Sequence, residues 1–100
     1  MKQLLVDGCP FCAMFKNPEE NIKTELYFPE INEVKESDFI IIHNEEEDKP
    51  MIIFKEHVTD ITQDNWRTLN YVSKKTFGKM IRYRVNNRYV KDHFHCYILR

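Results

Sequence analysis

Two thiols three positions apart and two distant imidazoles restrict this chain more than anything else in it. Cys9-Pro10-Phe11-Cys12 lies near the start, His57 mid-chain, and His93-Phe94-His95 near the end. A Cys-x-x-Cys turn offers two thiolates to one ion, and zinc is usually completed to four ligands by Cys or His from elsewhere in the fold. His57 and His93 are the natural completers; His43, at the end of an apolar run, competes with them but has no partner spacing that singles it out. A strand over 93–98 would alternate its side chains, so that His93, His95 and Tyr97 project to one face and Phe94, Cys96 and Ile98 to the other. One histidine then holds metal while the next, roughly 6.6 Å along, stands on the open side of the strand and meets substrate.

Size fits a chain that leans on a metal. One hundred residues with 42% hydrophobic side chains build one core and not two, in the size range where a structural ion contributes noticeably to stability. A single compact domain over 1–100 is expected. Fifteen basic against sixteen acidic residues leave a formal charge of -1, so no global field draws the protein to nucleic acid or membrane, and neither is an expected partner. Three cysteines, two in a ligand-like pair and Cys96 alone, argue against a disulfide framework and for a reducing compartment. No apolar run approaches the roughly 18 to 20 residues of a membrane span, and the N-terminus lacks a signal-peptide core. The expected location is cytoplasmic.

Local signals assign most of the chain to elements. Asn17-Pro18-Glu19-Glu20 reads as an N-cap, a proline at the first helical position and a first turn of acids, with Ile22 to Phe28 continuing as helix or as strand. Asp38 to His43 and Pro50 to Phe54 are β-branched apolar runs, expected as strands buried on both faces. They pair antiparallel through the acidic tip Asn44 to Lys49, a solvated turn. Thr62 is the N-cap of a helix over about 63–78, with Trp66, Leu69, Val72 or Ser73, and Phe77 on one face, lysines at the end and Gly78 as the stop. Met80 to Val85 and Tyr89 to Leu99 alternate as strands. The order predicts an α+β domain with an antiparallel sheet and one main helix, braced by a zinc site.

At this point a family comes into view. Pro50-Met51-Ile52-Ile53-Phe54-Lys55-Glu56-His57 resembles the apolar strand and Lys-x-His of histidine-triad proteins, and His93-Phe94-His95-Cys96-Tyr97-Ile98-Leu99-Arg100 resembles their signature. The likeness runs from Cys9 to Arg100. By resemblance to the zinc-containing members, including the galactose-1-phosphate uridylyltransferase branch, Cys9, Cys12, His57 and His93 are the zinc ligands. The family's nucleophile, the middle signature histidine that attacks an α-phosphate, falls on His95. The third signature position is Tyr97, where most members carry His and the uridylyltransferase branch Gln, so a phenol hydroxyl takes the place of the phosphate donor. Asn86, in Arg82-Tyr83-Arg84-Val85-Asn86, matches the phosphate-holding Asn of the family, while Val90, Lys91 and Asp92 lack the Ser or Gln found before the signature. The resemblance implies a trimmed histidine-triad-like domain that binds a nucleotide or nucleotide conjugate, acts as a hydrolase or nucleotidyltransferase at the α-phosphate, and forms a homodimer.

Two rival expectations stand beside it. The same fold, without part of its phosphate pocket, would serve as a non-enzymatic zinc-stabilised binding or interaction module. Cys-Pro-Phe-Cys also resembles a glutaredoxin-like thiol-disulfide motif, in which Cys9 attacks and Cys12 resolves. That reading wants a strand over Lys2 to Val6, a helix starting in Phe11 to Lys16 and Pro50 facing the motif, and it leaves His57, His93 and His95 unused. Lys55 approaches a phosphate or points to water, and Cys96 is a small buried hydrophobe. Arg82, Arg84 and Arg88 alternate with Tyr83, Val85 and Tyr89 in a basic and aromatic pattern that the near-neutral total charge argues against as a nucleic-acid surface.

Overall fold

The computed structural model of the chain describes residues 8–85 and 92–100. The two β-branched runs form its centre. β2 (Phe39–Asn44) and β3 (Lys49–Phe54) pair antiparallel in continuous register from Phe39 opposite Phe54 to Asn44 opposite Lys49. Residues 39–42 and 50–54 are buried, as apolar runs without alternation require. A short β1 (Leu26–Phe28) flanks β2, and β5 (His95–Leu99) lies between β3 and β4 (Arg82–Val85), giving the order β1-β2-β3-β5-β4 with every pairing antiparallel. The expected α+β architecture is present.

Strand alternation divides the core into two layers. On one face Ile40, Ile42, Met51, Ile53 and Tyr97 pack against Phe11, Cys12 and Phe15 of α1 (Pro10–Lys16). On the other, Phe39, Ile41, Ile52, Phe54, Cys96 and Ile98 pack against Leu69 of α3 (Gln63–Phe77), with Trp66, Val72 and Phe77 beside it. Each fully buried isoleucine contributes roughly 1.5 to 3 kcal/mol relative to exposure. The face assignment expected for 93–98 therefore holds for Tyr97 on one side and Phe94, Cys96 and Ile98 on the other.

α3 forms where its signals lie. The Thr62 side-chain oxygen accepts the Asn65 amide at 3.1 Å, and Gly78 leaves the helix at φ 99°, a region that costs a side-chain-bearing residue energy. The amphipathic spacing buries Leu69 and Ser73 toward the sheet. Elsewhere local signals carry less far. Asn17 makes no side-chain cap; α2 (Pro18–Asn21) ends after one turn, and the Asn21 amide donates back to the Ala13 and Asn17 carbonyls. The segment Ile22 to Phe28 then resolves in favour of strand at β1. A 3-10 helix, Ile31–Glu36, forms in a segment without hydrophobic periodicity and buries only Val34.

β4 begins at Arg82 and not at Met80, which is 90% exposed. β5 begins at His95; the earlier part of the expected Tyr89 to Leu99 strand falls partly on residues outside the described ones, as do Asn86 and the expected Lys2 to Val6 strand. Among the described residues no helix is long and apolar enough to cross a membrane.

Candidate metal centre

Three separate elements deliver the four side chains expected to hold a metal. Cys9 is the residue preceding α1 and Cys12 lies in its first turn, where Pro10 supplies a helix-compatible φ at a position that needs no amide donor. Phe11 and Phe15 anchor the helix in the core, which turns both thiols toward the sheet. His57 follows β3 and His93 precedes β5. Those two segments are stitched together: the Phe54 amide donates to the Phe94 carbonyl at 3.2 Å and the Phe94 amide to the Val58 carbonyl at 2.6 Å.

The donor atoms of Cys9, Cys12, His57 and His93 all lie within 4.8 Å of one another. His93 Nδ1 stands 3.5 Å from Cys9 Sγ, 3.6 Å from Cys12 Sγ and 3.3 Å from His57 Nδ1, and Cys12 Sγ is 3.4 Å from His57 Nδ1. Cys9, Cys12 and His93 are buried and His57 is half-buried. Four soft or borderline donors, three of them on buried residues, thus lie close enough together to hold one metal ion.

Tautomers follow from carbonyl partners, since a carbonyl only accepts. His93 Nε2 donates to the Phe54 carbonyl, which leaves the Nδ1 lone pair directed into the cluster. Burial lowers the His93 pKa to about 4, with the neighbouring His57 and His95 adding to the depression and the Phe54 hydrogen bond opposing it. The imidazole is therefore neutral at physiological pH, the form that binds a cation.

His95 lies two residues along the same strand face. Its Nδ1 donates to the His93 carbonyl at 2.9 Å, so Nε2 carries the lone pair, and that atom is buried with no hydrogen-bond partner. The sequence placed His95 on an open side of the strand; instead it is fully buried, because α1 covers this face and Phe11 packs edge-on to both His95 (ring centroids 4.9 Å apart) and His93 (5.5 Å). Tyr97, the next residue on the face, is also fully buried, and its hydroxyl has no partner. Burial raises the Tyr97 pKa, as does the charge of Glu47, so the phenol stays a hydrogen-bond donor.

Other residues take places the sequence did not reveal. Arg84 lies over the Tyr97 ring at 5.2 Å and reaches Glu47 in the β2–β3 turn at 2.7 Å, so one acid of the supposedly solvated tip is tied across the sheet. The Lys55 ammonium donates to the Lys35 carbonyl at the protein surface. His43 is outside the cluster, between the Tyr27 hydroxyl at 3.2 Å and Asp48 at 3.1 Å. Pro50 pairs with His43 in the sheet. Cys96 is buried among apolar side chains, and that burial pushes its pKa up to about 12, an inert thiol.

A cleft of about 600 Å³ opens beside the histidine face, lined by Phe11, Met14, Ile42, Asn44 and Met51 among others. Phe11 thus touches both the cleft and His95. No protein-family model, no curated protein and no solved structure matches this chain.

Proposed function

We propose that the protein is a zinc-braced, histidine-triad-like nucleotide-binding domain, in which the metal is structural and His95 is the group offered to an α-phosphate. The metal assignment is supported by arithmetic. Zinc bound by nitrogen at about 2.0 to 2.1 Å and sulfur at about 2.3 Å in a tetrahedron separates nitrogen from nitrogen by about 3.3 Å and sulfur from nitrogen by about 3.6 Å. The corresponding separations here are 3.3 Å and 3.4 to 3.6 Å. Four protein ligands close the coordination shell, as in structural sites; a catalytic zinc keeps a position open. The role of the ion is to fix α1 to the strand that carries His95.

The observation that carries the catalytic part is the bare Nε2 of His95, fixed as a lone-pair donor by its Nδ1 hydrogen bond and left without a partner. In the proposed step the Nε2 lone pair forms a bond to the α-phosphorus. The bond from phosphorus to the leaving oxygen, or to the leaving nitrogen of a phosphoramidate, breaks, and that atom keeps the electron pair. Attack of water or an acceptor hydroxyl on the same phosphorus then breaks the bond from phosphorus to His95 Nε2, which takes back its electron pair as the neutral imidazole, and the proton lost by the attacking hydroxyl passes through solvent to the departed leaving group. The Tyr97 hydroxyl is the donor proposed for a phosphate oxygen, and Asn86 a second. The adjoining cleft is of a size for a nucleoside, and Phe11 must turn aside for a phosphate to reach His95.

Full burial of His95 favours one second reading, a zinc-stabilised binding module without turnover. The two separate in one experiment. Purified protein is offered a nucleoside phosphoramidate, a dinucleoside polyphosphate and a nucleotide sugar, with acid quench and peptide mapping. Turnover of one of them, a phosphoramidate trapped on the His95 peptide, and loss of both in His95→Ala support the enzyme. Tight nucleotide binding that His95→Ala leaves unchanged, with no turnover of any substrate, supports the binding module. A reversible Cys9–Cys12 disulfide in metal-free protein would support the thiol-disulfide reading in place of both.

A further inference from the structure

The near-neutral total charge conceals a strong separation along the chain. From residue 65 to residue 91 there are eight of the fifteen Lys and Arg residues and not one Asp or Glu. The fold gathers part of that excess on the outer side of α3, across the sheet from the metal-binding cluster. Arg67, Tyr71 and Lys74 follow one another at i, i+4 and i+7 on the exposed stripe, with Lys75 beside them and Lys79 just past the helix end. Together with Asn70 they line a shallow groove of about 650 Å³. Tyr71 is 67% exposed, although a tyrosine at that position of the helix is not needed by the core.

Two ordinary explanations account for part of this pattern only. Lysines in the last turn of a helix complement its dipole, which covers Lys74 and Lys75 but not Arg67, Lys79 or the exposed ring. Surface ion pairing leaves most of these charges free as well: Arg67 meets Asp64 at 3.5 Å with both side chains exposed, a pair of little strength, and no carboxylate among the described residues pairs with Lys74, Lys75 or Lys79. Lys75 lies over the Tyr71 ring at 5.9 Å, so the aromatic is already held in a cationic setting. A two-fold self-pairing through this face would set like charges against each other, which the charge complementarity of real interfaces avoids.

We infer that the outer face of α3 is a docking surface for single-stranded nucleic acid, with Arg67, Lys74 and Lys79 meeting phosphates and Tyr71 stacking on a base. The combination of a positively charged groove with an exposed aromatic is what a single strand requires. An acidic peptide or an anionic lipid surface would use the cations and leave the ring idle. The charge-based exclusion of nucleic acid holds for the molecule as a whole and not for this face. The surface is separate from His95 and does not depend on the function proposed for it.

The test is fluorescence anisotropy of the full zinc-loaded chain with a labelled oligouridylate, against polyglutamate and phosphatidylserine vesicles. With three phosphate contacts at about 0.7 each, log K should fall against log salt with a slope of about -2 between about 50 and 200 mM. Lys74→Ala/Lys79→Ala should reduce that slope by about 1.4. Tyr71→Ala should weaken binding by between about 5-fold and 100-fold with the slope unchanged. His95→Ala should leave oligonucleotide binding as it is. All three changes at α3 are on exposed side chains, and an unchanged melting temperature verifies the fold. No salt-dependent binding overturns the inference. So does binding that Tyr71→Ala leaves intact while polyglutamate or vesicles bind equally well, which would assign the face to an acidic partner or a membrane. Binding lost in His95→Ala but kept in the lysine variant also overturns it, since the strand would then be held at the histidine face.

Discussion

Two backbone carbonyls set the state of two neighbouring imidazoles. The Phe54 carbonyl takes the Nε2 proton of His93 and leaves Nδ1 to the cluster; the His93 carbonyl takes the Nδ1 proton of His95 and leaves Nε2 bare. Different roles for residues two apart follow, and mutation should separate them. Removing His93 takes a metal ligand and also leaves the Phe54 carbonyl buried without its donor, so His93→Ala should lose both metal and fold. His95→Gln should keep the metal, measured by elemental analysis, whereas His95→Ala should keep the metal but lose about 2 kcal/mol in urea unfolding, because a buried ring leaves a cavity against Phe11. Acid should act through His93. Its folded pKa of about 4 is below the ordinary unfolded value, so the unfolded chain binds more protons between about pH 4 and 6.5. Stability is full above that window and falls as pH drops through it, by up to about 3 kcal/mol, and release of metal from protonated ligands adds in the same direction. A melting temperature that is flat from about pH 7 to pH 4 would contradict this. Of these residues the sequence singled out, by type and spacing, the four that the fold brings close enough to hold a metal ion. It could not reveal the covering role of Phe11, because nothing in Cys-Pro-Phe-Cys says that the helix lies across the histidine face and not beside it.

Elements with strong local signals were legible and those fixed by distant partners were not. The β2–β3 hairpin and α3 follow from β-branched runs around an acidic turn and from a capped amphipathic repeat. Thr62→Ala should accordingly cost about 1 kcal/mol through loss of the Asn65 bond, and Leu69→Ala about 2 to 5 kcal/mol because Leu69 is fully buried between helix and sheet; chemical denaturation measures both. The insertion of β5 between β3 and β4 has no local signal, since it joins residues more than forty positions apart on one side, from Ile53 with His95 to Met51 with Tyr97, and the strand just before it in sequence on the other. The same holds for Arg84 and Glu47, 37 positions apart, whose ion pair crosses over Tyr97. The 3-10 helix from Ile31 to Glu36 was invisible because a mostly charged segment with one buried side chain carries neither helical nor strand periodicity.

At the scale of the molecule, a chain of 100 residues has little margin in its core, and a metal held by Cys9, Cys12, His57 and His93 would tie its N-terminal helix to the turn after β3 and the start of β5. Zinc in such a site is worth about 10 to 16 kcal/mol of apparent binding energy, comparable with the total stability of a small domain. Chelation should therefore loosen the face bearing α1 and expose His95, Tyr97 and Phe11 to solvent. The measurement that tests this account most directly is the metal content of wild-type and Cys12→Ser protein, both purified without chelators and examined by elemental analysis. The account predicts about one zinc per chain in the wild type and almost none in Cys12→Ser, with the variant markedly less stable. A folded wild-type protein that contains no metal, with melting unchanged in Cys12→Ser, would contradict it.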